Sequence, residues 1–148
     1  MKRFLHLLFF LGGISLTYGL QVPIPSDLEK TFDRYSRAWV HEEWGAIFDC
    51  LPPTVQKTYL EMFKTRDGYI KNQEAGFKDK IISFERKATY VMGPKIYTFA
   101  TVVKGKHPSG EEFTSASFTS FELIENRWCM VDPVVPNFGQ NLPPPPKP

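Results

Sequence analysis

The chain has 148 residues, of which 42% are hydrophobic, 23% charged and 15% aromatic. These are the proportions of one globular domain, and they exclude whole-chain disorder and collagen-like repeats. The formal charge of +2 is carried by Lys2 and Arg3; without them 16 basic residues face 16 acidic ones, which leaves no electrostatic case for nucleic acid or an anionic membrane as partner.

Residues 1–19 have the layout of a cleavable export signal: Lys2-Arg3, an apolar run from Phe4 to Leu16, then the small residues Thr17 and Gly19. The run is shorter than the roughly 20 residues a spanning helix needs. The expectation is cleavage after Gly19, a secreted or periplasmic product and no stable membrane anchor afterwards. Residues 20–25 form an extended lead-in. At the other end, seven of the 13 prolines fall between Pro133 and Pro148. Proline fixes φ and lacks the amide donor, so residues 137–148 are expected as a proline-rich, disordered tail of polyproline character, either a solvated terminus or a recruiter of a partner. The domain is expected at 26–136.

The first half of that domain reads as helix. Ser26-Asp27-Leu28-Glu29 has the form of a capping box. Leu28, Phe32, Tyr35 and Trp39 then recur at helical spacing, with charged residues between them. The pattern stumbles at His41-Glu42-Glu43 and resumes with Trp44, Ile47, Phe48 and Leu51, a second short helix after a bend. Pro52-Pro53 ends it. Thr54 is placed to cap a third helix with Val55, Tyr59, Met62 and Phe63 on one side. Thr65 to Ile70 suggests one more short turn.

From Ile81 onward β-branched and aromatic residues dominate. Strands are expected at Ile81–Val91, Ile96–Lys104, Glu112–Ile124 and Arg127–Asp132. The short links imply antiparallel hairpins, and helices followed by a contiguous meander give an α+β fold. The third strand has Phe113, Ser115, Ser117, Thr119, Phe121 and Leu123 on one side and Thr114, Ala116, Phe118, Ser120 and Glu122 on the other, so neither side is cleanly apolar. A long, bent strand with both faces part buried would produce that mixture.

This order of elements resembles the nuclear transport factor 2-like superfamily, the cystatin-like cone that includes the SnoaL-like proteins. The resemblance rests on the lead-in Ala38-Trp39 to Trp44, closed by Leu51-Pro52-Pro53, and on the closing strand Asn126-Arg127-Trp128-Cys129-Met130-Val131. It runs from Leu28 to Asp132. It implies N-terminal helices packed against a curved four-stranded antiparallel sheet with a pocket at the open end of the cone. It also implies a dimer surface on the sheet face that the helices leave uncovered. Because such cones host isomerases, dehydratases and non-enzymatic binding domains alike, function has to be argued from the site.

The sequence offers little catalytic chemistry. It has no Gly-x-Ser-x-Gly elbow, no paired histidines at zinc-protease spacing and no Cys-x-x-Cys pair. No metal or cofactor is therefore expected. Acid–base chemistry in an apolar cavity would draw on Tyr35, His41, Asp49 and Tyr59, with Glu122 as a further carboxylate on the solvated side of the sheet. His107 falls in a hairpin turn. The ring-bearing residues Tyr35, Trp39, Tyr59, Phe99, Phe121 and Trp128 are the candidates for pocket walls. Cys50 and Cys129 are the only cysteines. A bridge between them would close about 80 residues, for on the order of 4 kcal/mol in the chain-entropy model, but if Trp128 and Met130 face the core then Cys129 faces away. The function expected is an exported, non-catalytic domain binding a small apolar ligand or a protein partner. The alternative is a small lyase or isomerase working in the cone.

Overall fold

The computed structural model describes residues 23–134. The expected export signal at 1–19, the start of the lead-in and the proline-rich tail at 137–148 lie outside the described residues.

Helix α1 (Ser26–Val40) buries Leu28, Phe32, Tyr35 and Ala38 along one stripe, which is the face the sequence spacing marks out. Trp39, expected on that stripe, sits at its margin and is half-buried. The capping box is not made: Ser26 is the first helical residue, and Pro25 stands at the cap with no side-chain bond. A proline cap has no amide for Glu29 to reach back to. Glu29 instead pairs with Arg86 at 3.0 Å, and its own amide donates to the Pro25 carbonyl at 3.0 Å.

A tight turn at His41–Glu43, with Glu42 at φ 57°, leads into α2 (Trp44–Asp49). Helix α3 (Pro53–Phe63) opens on Pro53, where the missing amide costs nothing. Thr54 is therefore inside the helix and not its cap. Val55, Tyr59 and Phe63 pack on Phe48, Leu51 and Tyr69, whereas Met62, expected with them, is exposed. The last turn expected near Ile70 is a full helix, α4 (Arg66–Gly76), capped by Thr65, whose hydroxyl accepts from the Gly68 amide at 2.9 Å.

Four strands follow: β1 (Lys80–Gly93), β2 (Ile96–Lys106), β3 (Glu112–Ile124) and β4 (Arg127–Val131). They form one antiparallel sheet in the order β1-β2-β3-β4, as the short links require. The first two strands run two residues further than expected, and β4 stops at Val131, one residue short of the expected end. β1 shifts register three times, between Ile81 and Ser83, Arg86 and Ala88, and Val91 and Gly93. Bulges raise local twist and bend a strand, so the edge strand is what curls the sheet. β3 pairs with β2 without interruption from Glu112 to Glu122.

α1 lies on the concave face. Phe32 meets Phe99 at 4.7 Å and Phe121 at 6.2 Å, and Tyr35 meets Phe84 at 5.8 Å and Phe121 at 5.7 Å, all edge to face. Arg86 also points inward. Its guanidinium lies 5.8 Å from the Phe32 ring and 5.4 Å from the Phe99 ring, an arrangement in which cation and aromatic quadrupole attract. The closing strand is tied to the backbone at the end of α2: the Met130 amide donates to the Cys50 carbonyl at 2.7 Å, and the Arg127 guanidinium donates to the Asp49 and Leu51 carbonyls. This is the α+β architecture that the resemblance implies: helices on the concave face of a curled antiparallel meander.

Candidate functional site

A pocket of about 590 Å³ opens at one end of the concave face. Its apolar wall is built from the last turns of α1 (Tyr35, Trp39), the link after α4 (Phe77), β1 (Ile81, Phe84) and Met130 of β4. The rings brace one another: Trp39 packs edge-on against Trp44 at 5.5 Å and Phe77 at 5.3 Å. The facing wall is the first half of β3, where Phe113, Ser115, Ser117 and Thr119 alternate inward. Thr101 on β2 backs this row, with its hydroxyl 3.2 Å from that of Ser117 and 3.3 Å from that of Thr119.

The mixed polarity of β3 therefore has two physical causes. Toward the helices, its hydroxyls line a cavity instead of filling a core. On the other face, Ser120 is fully buried and bonded to Thr98 at 2.7 Å. A row of hydroxyls at i, i+2 and i+4 in an otherwise aromatic sheet was the available sequence signal for the wall.

Gly105 makes room for Phe113 at the pocket edge. A Cβ there would lie 2.4 Å from the Phe113 ring and 2.8 Å from the Lys80 carbonyl oxygen. Phe113 in turn stacks on His107 at 4.7 Å. His107 is exposed in the β2–β3 turn, and its Nδ1 lies 2.9 Å from an Asp79 carboxylate oxygen. Asp79 and Asp132, one just before β1 and one just after β4, are the carboxylates that line the pocket. Sequence reasoning passed over both: Asp79 lies outside the strands, where alternation assigns no face, and Asp132, the last residue of the expected fourth strand and in step with Trp128 and Met130, was not singled out.

Of the six ring-bearing candidates, Tyr35 and Trp39 line the pocket. Phe99 and Phe121 are fully buried in the core beneath α1, and Trp128 packs edge-on against Tyr97 at 5.6 Å. Tyr59 belongs to a separate cluster, stacked on Tyr69 at 5.2 Å. Among the acid–base candidates, His41 is exposed. Asp49 is a structural carboxylate, held at 3.0 Å by Arg34 and by Arg66, which joins α1, α2 and α4. Glu122 lies on the outer face opposite Cys129.

Burial pushes the Tyr35 phenol above its ordinary pKa, and the nearby Cys50 adds to this. The Trp39 indole N–H works the other way, although it sits outside hydrogen-bond geometry and is buried with no partner. Tyr35 is thus a neutral donor facing an apolar space. Cys50 and Cys129 are free thiols, both buried, with Cys129 facing away from the helices as its alternation with Trp128 and Met130 requires. Among the described residues no group of three or more His, Cys, Asp or Glu side chains is placed to hold a metal ion.

No protein-family model matches the chain, and no curated protein matches it either. Several solved structures are similar. A SEC-C motif-containing protein from Rhodopseudomonas palustris aligns with 65% of this chain and 68% of its own, at 12% identity and a TM-score of 0.49. A Δ5-3-ketosteroid isomerase from a Mycobacterium species aligns with 71% of this chain and 92% of its own, at 7% identity and a TM-score of 0.47. An NTF-2-like protein of unknown function from Shewanella oneidensis covers the same shares at 11% identity and a TM-score of 0.45.

Proposed function

We propose that this chain is an exported, nuclear transport factor 2-like binding domain that holds a small, mainly apolar ligand with a hydrogen-bonding edge. The observation that carries the reading is the two-sided pocket. Aromatic rings from α1, the α4–β1 link and β1 face a wall of β3 hydroxyls across about 590 Å³, a volume in the range of small-molecule sites. A flat apolar body would pack on Trp39, Phe77 and Phe84. A carbonyl, ether or amine on its edge would meet the hydroxyls of Ser115 and Ser117. Export rests on the Lys2-Arg3 head and apolar run alone.

The test is a fluorescence titration with N-phenyl-1-naphthylamine, a neutral two-ring probe carrying one N–H. The expected result is saturable binding of one probe per chain, weakened at least tenfold by Ser117→Phe, which puts a ring into the cavity from its open wall. An absence of saturable binding, or equal binding by the variant, overturns the reading.

Acid–base catalysis is the second reading, favoured by one observation: Asp79 and Asp132 line the same pocket as Tyr35. A carboxylate base and a neutral phenol donor around one apolar space is the minimum set for proton transfer next to a carbonyl. Under this reading, Asp132→Asn keeps ligand affinity and loses turnover of any compound the native chain converts. Retention of turnover would remove Asp132 as the base.

A further inference from the structure

Among the described residues no helix covers the outer face of the sheet, yet two of its polar residues are fully buried. Thr98 and Ser120 both have zero exposure. Among the described residues, it is the chain itself that engages them: after β4 it turns back over this face, and Val134 is fixed there through both of its backbone groups. The Val134 amide donates to the Ser120 hydroxyl at 2.8 Å, and the Thr98 hydroxyl donates to the Val134 carbonyl at 2.9 Å. The two hydroxyls are 2.7 Å apart. Because the Thr98 proton is committed to the carbonyl, Ser120 must donate to Thr98, and this ring of three bonds has only one proton arrangement.

The seat also gives a direction. The chain leaves β4, passes Ser120 on β3 and is held by Thr98 on β2, so the next strand in its path is β1. We propose that residues 135–148 continue along this path and lie over the outer face of β2 and β1. The chain's own C-terminal segment, and not a second copy, then occupies the sheet face left bare by the helices.

Length and chemistry both fit. Fourteen residues follow Val134, and at about 3.1 Å each an extended polyproline-type chain reaches roughly 40 Å. Crossing two strands takes only about 10 Å. The segment opens Val135-Pro136-Asn137-Phe138, apolar except at Asn137, and its prolines demand no hydrogen-bond acceptors from a face whose backbone is already paired. Beyond Thr98 the face is low where Ala88 pairs with Ala100. A ridge borders it where the Tyr90 and Phe118 rings meet edge to face at 6.2 Å.

The test places the photo-crosslinker p-benzoyl-phenylalanine at position 138 of the full chain, irradiated as an equal mixture of 15N-labelled and unlabelled protein. The expected product is predominantly intrachain, joined to the peptides that carry Ala88, Tyr90, Ala100 or Phe118. Mixed-isotope products would show that a second copy takes the face, and an absence of crosslinks would show that the segment does not reach it; either overturns the proposal.

Discussion

Tyr69 anchors the α3–α4 corner against Phe48 at 5.0 Å. Burial pushes its phenol up to about 12, with Tyr59 and Tyr35 adding to the shift. Above pH 10 the unfolded chain loses this proton while the folded chain keeps it until about 12. The unfolded state then binds fewer protons, and stability falls as pH rises through that window. Chemical denaturation at pH 9 and pH 11.5 should show the loss, and Tyr69→Phe should reduce it. An equally steep loss in the variant would place its source elsewhere. Burial also raises both thiol pKa values. A neutral, buried thiol is a poor nucleophile. The native chain should therefore resist maleimide labelling and take up two equivalents on unfolding; none taken up after unfolding without reductant would reveal a bridge. None of these environments is readable from residue type. Tyr35 was legible as inward-facing from its place on a helical stripe, but Asp79 was not, because a loop carboxylate acquires a face only when the strands beside it are in place; Asp132, at the end of the expected fourth strand, shares the face of Trp128 and Met130 by alternation alone.

Among the elements, the period-based features were the legible ones. The spacing of Leu28, Phe32 and Tyr35 marked the buried face of α1, and the Pro52-Pro53 pair marked the break before α3. What spacing alone does not determine is how a helix begins, since that depends on a single backbone carbonyl. Ser26 and Thr54 resemble caps but lie within helices that prolines open. Thr65 does cap, and Thr65→Ala should cost about 1 kcal/mol in urea denaturation; no change would mean that solvent satisfies the first turn of α4. In the sheet, curvature arises in β1 through register shifts, which leave no mark in a run of residues that otherwise alternates. Gly105 is the clearer sheet element. Phe113 lies across it, so Gly105→Ala forces the ring or the Lys80 carbonyl to move and should cost about 1–3 kcal/mol. Wild-type stability in that variant would mean that the β2–β3 corner yields freely.

At the scale of the molecule, the helices-then-meander order was enough to give the α+β architecture, because short links leave antiparallel pairing as the only option for four consecutive strands. The pocket followed less directly. Aromatic content pointed to cavity walls, but most of those rings fill the core under α1, and the facing wall is made of hydroxyls whose polarity looked like a defect in β3. The central claim is that this space takes an apolar ligand, and the orphaned Trp39 indole reports on it. The chain has three tryptophans, so its 15N–1H indole spectrum is simple and can be assigned by Trp→Phe substitution. Titration with N-phenyl-1-naphthylamine should move the Trp39 resonance in a saturable way and leave that of Trp128, buried against Tyr97, in place. A Trp39 resonance that stays fixed while the probe binds would contradict the account.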